Sequence, residues 1–264
     1  MRPAKRYDVS PDVADFDDDA LGRFRDDGFV AVPDLFRGDR LRQLIAWVDE
    51  LESESEKRGE AWFYYEDSLR GSKAEVLARI EYFDAFHVGL RSVMRGPDLL
   101  GRAAALLGEP AVLFKEKINF KMPGGHGFEP HQDAQAGWED HGGLHLTAMV
   151  SIDPATAENG CLELAAGYNR RGLIGDLGKP LQSSQIDGVE FTHYPTEPGD
   201  ALFFDSYAPH RSAPNETYAR RRVLLVTYGR AREGDHRESY FAAKFKSFPP
   251  DIEREAGKEH AYKV

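Results

Sequence analysis

Residues 111–121 read Ala-Val-Leu-Phe-Lys-Glu-Lys-Ile-Asn-Phe-Lys, a run whose hydrophobicity repeats at every second position. Side chains of a strand alternate between its two faces, so the spacing predicts one long strand. Val112, Phe114, Glu116, Ile118 and Phe120 fall on one face, and Leu113, Lys115, Lys117, Asn119 and Lys121 on the other. The second face is polar and rich in lysine. Burying ammonium groups is costly unless anions meet them, so in an acidic chain this face points to an anionic or zwitterionic ligand.

Outward from this strand, the downstream chain breaks into short segments. Strands are predicted at about 145–152, 160–165, 190–195, 200–205 and 221–229, separated by turn signals such as Gly142-Gly143, Asn159-Gly160 and Pro198-Gly199-Asp200. That punctuation implies a mostly β fold with flanking α-helices and a double-stranded β-helix, or jelly-roll, core. The irregular stretch 166–189 reads as a loop insertion over the barrel mouth. Upstream, Asp17 to Asp19 can cap a short helix ending near Gly28, and Leu41, Leu44, Ile45, Val48 and Leu51 mark a second, stopped by Gly59. A mixed aromatic stretch, Ala61 to Ser68, precedes further helical pattern from about Ala74 to Leu107, with a turn near Gly96-Pro97. The expectation is one domain over 1–264, with a helical part at about 1–110, a jelly-roll core at about 111–230 and a C-terminal extension at 231–264.

Composition narrows the partners. The formal charge of −11 argues against nucleic acid or an anionic membrane surface, both of which attract basic proteins. No apolar run approaches the roughly 20 residues that cross a bilayer, and the N-terminus lacks the apolar segment of a secretory signal. The single cysteine, Cys161, permits no internal disulfide and fits a reducing compartment. These features predict a cytoplasmic protein acting on a small molecule, without nucleic-acid or membrane partners; oligomeric state is not legible.

Chemistry enters at His131-Gln132-Asp133, which follows the Gly-rich Met122–Pro130. In extended backbone, His131 and Asp133 project to one side and can reach one ion. His210, after the strand-like Ala201–Ser206 and an Ala-Pro turn, is the natural third ligand. Two imidazoles and a carboxylate form a facial triad whose open positions suit a redox-active iron. The same three ligands would also serve a non-catalytic metal-binding jelly roll. A buried guanidinium separates the readings, because an oxygenase using 2-oxoglutarate needs a cation for the far carboxylate. Arg220, Arg221 and Arg222 open the strand RRRVLLVTYG; alternation puts Arg221 with Val223 and Leu225, and Arg220 with Arg222 on the opposite face.

In order, HQD (131–133), NGCLEL (159–164), PGDALFF (198–204), PHRSAPN (209–215) and a distal Arg resemble the phytanoyl-CoA dioxygenase family of iron(II)- and 2-oxoglutarate-dependent oxygenases, over roughly 110–230. The resemblance implies that His131, Asp133 and His210 are the catalytic iron ligands and that iron(II), 2-oxoglutarate and O₂ are the cofactors. It implies Arg221 as the 2-oxoglutarate anchor, with Arg220 the alternative, and Asn119 beside the co-substrate. Lys117 shares the Asn119 face and could meet co-substrate or an anionic substrate. Likeness to ectoine hydroxylases places Thr147 near the co-substrate. Halogenating relatives lack the acidic ligand; Asp133 therefore favours hydroxylation. KEKINFK (115–121), HQDAQAGW (131–138) and FPPDIERE (248–255) also look like aminoethylphosphonate hydroxylases, implying an aminoalkylphosphonate or similar substrate. Gln132, Gln135, Trp138 and Lys121 are the candidate substrate contacts. The alternative is a natural-product tailoring hydroxylase, with Trp62, Phe63, Tyr64 and Tyr65 as apolar pocket walls unless they are core aromatics.

Overall fold

The computed structural model describes residues 16–71, 75–255, 257 and 260. The reading of residues 1–15 as free of a signal segment, and Ala74 as a helix start, lie outside them. Among the described residues, eleven strands, β1 (Phe29–Val32), β2 (Trp62–Asp67), β3 (Glu75–Glu81), β4 (Ala111–Lys121), β5 (Phe128–His131), β6 (His145–Ser151), β7 (Leu162–Leu164), β8 (Thr192–Tyr194), β9 (Ala201–Asp205), β10 (His210–Ser212) and β11 (Arg221–Arg230), form two antiparallel sheets. The larger runs β1-β9-β6-β11-β4-β3-β2 and the smaller β5-β10-β7-β8, giving the jelly-roll core expected from the sequence.

The helices are α1 (Asp18–Asp27), α2 (Gly38–Ser53), α3 (Val88–Met94), α4 (Arg102–Leu107) and α5 (Arg237–Ser247). Helix α1 starts and stops where the sequence says it should: the Asp17 carboxylate accepts from the Ala20 N–H, and Gly28 closes the helix at a φ of 86°. Helix α2 ends earlier than expected, at Ser53, because Glu54 turns to extended backbone well before Gly59. Proline at the first position of a π-helical turn, Pro97–Gly101, marks the interruption between α3 and α4.

Two corrections concern the first third. Residues 75–81 form β3 rather than helix, and the aromatic stretch forms β2. Val76, Leu77 and Ile80 also fit a helical spacing, but β3 pairs with β4 as Arg79↔Asn119 and Glu81↔Lys117, and sheet pairing overrides local pattern. The short strands β1, β5 and β10 were likewise not predicted.

The long strand behaves as read, with one exception. Phe120 and Ile118 join Leu224, Val226, Leu146 and Val150 in the main core against the helices. Lys121, Asn119, Lys117 and Lys115 stand opposite Arg221, Val223, Leu225 and Thr227 on the face toward the small sheet. A bulge between Thr227 and Tyr228 then breaks the alternation. Leu113 consequently enters the main core, while Phe114 packs on the His145 ring at a centroid distance of 4.3 Å. The stretch 166–189 is a loop with one 3-10 turn at Asn169–Arg171 and strand structure absent until β8. Among the described residues no helix is long and apolar enough to cross a membrane.

Candidate active site

Strand β5 ends on His131, and β10 begins with His210 directly opposite it, so one cross-strand pair brings the two imidazoles to a centroid distance of 4.2 Å. Asp133 opens a 3-10 turn immediately after β5. The Nδ1 of His131 lies 2.7 Å from the Glu129 carbonyl and that of His210 lies 3.0 Å from the Ala208 carbonyl. A carbonyl can only accept, so Nδ1 carries the proton on both rings and each Nε2 is left bare as a ligand. Both Nε2 atoms face Asp133 Oδ1, at 4.0 and 3.9 Å. One donor atom from each of the three residues lies within 4.8 Å of the others, close enough for one ion to reach all three.

The electrostatics keep these groups in ligand form. Burial, then the neighbouring His210, holds His131 down at about 3, and burial lowers His210 as well. Burial alone would raise the Asp133 carboxyl, but His210, Lys117 and His131 outweigh it and bring it below the ordinary value. Two neutral imidazoles and a carboxylate are the donor set of non-haem iron(II). Behind them, the Thr147 hydroxyl donates to Asp133 Oδ2 at 3.2 Å and sits 3.0 Å from the Thr227 hydroxyl. Thr227 therefore supplies the proton to Thr147, and this relay orients the acidic ligand. Thr147 is thus turned to Asp133, and Thr227 joins it as a residue that sequence reasoning missed.

The arginine triplet separates cleanly. Arg220 is exposed and pairs with Glu52 and Asp49, while Arg222 is buried in a network with Asp153, Asp49 and Glu52. Arg221 is 3% exposed, and no hydrogen bond or ion pair to its side chain occurs among the described residues; its buried Nε has no partner. Burial pushes its guanidinium down to about 10. Asn119 Oδ1 is a second buried atom without a partner on the same face. An orphaned guanidinium beside a His-Asp-His set fits 2-oxoglutarate as well as iron, because the fork of Arg221 can pair with a carboxylate.

A cavity of about 350 Å³ opens beside the triad, bordered by His131, Asn119, Lys121, Phe128, Tyr64 and Arg79. Lys121 donates to Ser212 Oγ at 2.7 Å and to the Ala213 and Gly160 carbonyls, and burial, then Arg221, lowers its ammonium to about 6. Burial and Lys115 bring Lys117 down to about 7. Lys115 lies 4.5 Å from the ring of Trp138, which is buried against Phe114 and His145.

Gln132 and Gln135 are turned away from the cavity. Gln132 Nε2 donates to the Gly172 and Tyr207 carbonyls and its Oε1 accepts from Ile174 N; Gln135 Nε2 donates to the Asp176 and Lys179 carbonyls. Both amides pin the 172–179 loop onto the ligand turn. Of the aromatic row, Trp62 and Phe63 are core, whereas Tyr64 and Tyr65 border the cavity. Arg79, Phe248 and Arg254 also line it; Arg79 was not foreseen, while Phe248 and Arg254 fall in the 248–255 stretch singled out for its likeness without a role.

Comparison with known proteins identifies the family and the fold. The sequence model of the family described as phytanoyl-CoA dioxygenase matches residues 24–223. The chain is 40% identical over 233 residues to a methylphosphonate hydroxylase of Gimesia maris, covering 88% of this chain and 87% of that protein. It is 36% identical over 244 residues to a 2-aminoethylphosphonate dioxygenase of an uncultured bacterium, covering 90% and 91%. Among solved structures, EctD of S. alaskensis with 2-oxoglutarate and 5-hydroxyectoine superposes with a TM-score of 0.71 at 19% identity, over 88% of this chain and 82% of that one. At that identity the likeness shows the fold.

Proposed function

The chain belongs to the phytanoyl-CoA dioxygenase family, and from that premise we propose that it hydroxylates a small phosphonate at a centre built on His131, Asp133 and His210. It is a 2-oxoglutarate-dependent dioxygenase using iron(II) and O₂. When bound, iron(II) and 2-oxoglutarate supply the oxidising power, with O₂ consumed, CO₂ and succinate released, and one oxygen atom delivered to a C–H bond.

The protein's part is placement and charge. His131, Asp133 and His210 would hold the metal, and the hydrogen bonds to the Glu129 and Ala208 carbonyls keep both rings in the binding tautomer. Arg221 takes the far carboxylate of 2-oxoglutarate in a charge-assisted pair, and Asn119 can offer the same ligand only its amide N–H groups, since the co-substrate has no donor for Oδ1. Lys117 helps keep Asp133 ionised as a ligand. Thr227 and Thr147 fix the Asp133 carboxylate against rotation.

The observation that carries the substrate reading is the excess of buried cations. Lys115 and Arg221 are buried and Lys117 half-buried on the site face, and none of the three has an ion pair among the described residues. The co-substrate dianion answers Arg221; the lysines remain for a second anion. The high identity to two phosphonate oxygenases supports a phosphonate in that place. A screen of alkyl- and aminoalkylphosphonates, with succinate release read above the uncoupled background, tests it: stimulation by a phosphonate is expected, and none across the set would remove the reading.

A further inference from the structure

Strand β3 carries the site face one strand beyond Asn119. Its pairing sets Arg79 opposite Asn119 and Glu81 opposite Lys117. Arg79 is 7% exposed and borders the same cavity as His131. Its Nε lies 2.7 Å from Glu81 Oε1, and its guanidinium carbon stands 4.7 Å from the centre of the Tyr64 ring. The Tyr64 hydroxyl donates to the Phe248 carbonyl at 3.1 Å and its ring stacks on Phe248 at 5.3 Å, so the platform under Arg79 is itself held by the C-terminal segment.

Glu81 is 1% exposed and also pairs with Lys244 of α5. Burial alone would raise this carboxyl; Lys244, Arg79 and Lys115 hold it down at about 2. One carboxylate thus stands among Arg79, Lys244 and Lys115, with Lys117 alongside. Of this group, Arg79 is the member that borders the cavity. A planar guanidinium matches a group with several oxygens and two negative charges better than a lone carboxylate does.

We infer that Arg79 is the specificity-determining contact for the substrate's phosphonate group, with Glu81 a positioning residue anchored to the C-terminal helix through Lys244. This rests on the phosphonate reading above. It makes the 237–254 segment part of substrate selection rather than an appendage to the core.

The test uses the full chain with iron(II) and 2-oxoglutarate under anaerobic conditions, titrated calorimetrically with methylphosphonate, 2-aminoethylphosphonate and acetate. The visible band of the iron-bound keto acid reports, independently, that the site is intact. Arg79→Gln is expected to keep that band and to lose phosphonate affinity by at least about tenfold, the worth of one charged hydrogen bond, with acetate changed less than threefold. Arg79→Lys keeps the charge without the fork and should fall between. Glu81→Gln should weaken phosphonate binding but not 2-oxoglutarate binding. Wild-type phosphonate affinity in Arg79→Gln overturns the inference and leaves the phosphonate reading standing; should that variant lose the keto-acid band, wild-type affinity in Arg79→Lys does the same. A wild-type protein that binds neither phosphonate overturns the reading and the inference with it.

Discussion

Replacing Arg221 with methionine should make the protein more stable and unable to hold its co-substrate. The guanidinium is buried and unpaired among the described residues, and burial lowers it from an ordinary 12.5 to about 10. At 1.36 kcal/mol per unit, holding that charge costs roughly 3 kcal/mol. Methionine keeps much of the apolar stem, so after packing losses we expect a net gain of about 1–2 kcal/mol in the metal-free, co-substrate-free protein. The binding side runs the other way. Two charged hydrogen bonds from the fork are worth about 1.5–3 kcal/mol each, so 2-oxoglutarate should bind about 10²–10⁴-fold more weakly. Urea unfolding of the apoprotein and anaerobic titration of the keto-acid band measure the two effects separately. Affinity within threefold of wild type would refute Arg221 as the anchor. A variant less stable than wild type by 1 kcal/mol or more would refute the claim that its charge is uncompensated.

Three further outcomes follow from particular contacts. Gln135→Ala removes two bonds to the Asp176 and Lys179 carbonyls, and limited proteolysis should cut the 172–181 loop faster at unchanged overall fold; an unchanged cutting rate contradicts the clamp. Burial holds His145 at about 4 against an ordinary 6.5, so the unfolded chain takes up a proton that the folded one refuses as pH falls through that window. Its contribution is fully present above about 6.5 and is lost toward 4 by up to about 1.4 kcal/mol per unit, and His145→Phe should flatten the pH slope of apoprotein stability. Parallel slopes for the two proteins would count against it. Gly160 has a φ of 74° and an added Cβ would stand 2.0 Å from the Ala213 carbonyl and 2.8 Å from Lys121 Nζ. Gly160→Ala should therefore lower stability by at least about 1–3 kcal/mol in thermal unfolding, and an unmoved midpoint would show that the turn is not under that constraint.

How much of this was legible varies with the range of the interaction involved. The polar face of 111–121 could be read because alternation is local, and Asn119 and Lys121 of that face do border the cavity. His210 was found by its motif, yet only the β5–β10 pairing explains why it meets His131. Arg79 was out of reach, because Val76, Leu77 and Ile80 satisfy a helical spacing and the strand exists through its pairing with β4. The bulge at Thr227/Tyr228 leaves no local mark, so Leu113 and Phe114 were assigned to the wrong faces. Gln132 and Gln135 read as substrate contacts because they flank the ligands; the backbone they hold lies some forty residues away. Arg221 could be placed opposite Arg220 and Arg222 by parity, but only the acidic partners on α2 and Asp153 showed which of the three was left unpaired.

The most direct measurement is isotopic. The enzyme is given iron(II), 2-oxoglutarate, ¹⁸O₂ and the phosphonate that most stimulates succinate release, and the products are weighed. The account predicts succinate and a hydroxylated phosphonate in equal amounts, with label from O₂ in both, and the loss of both in Asp133→Ala. Succinate formation indifferent to phosphonate, or full turnover in Asp133→Ala, would contradict it.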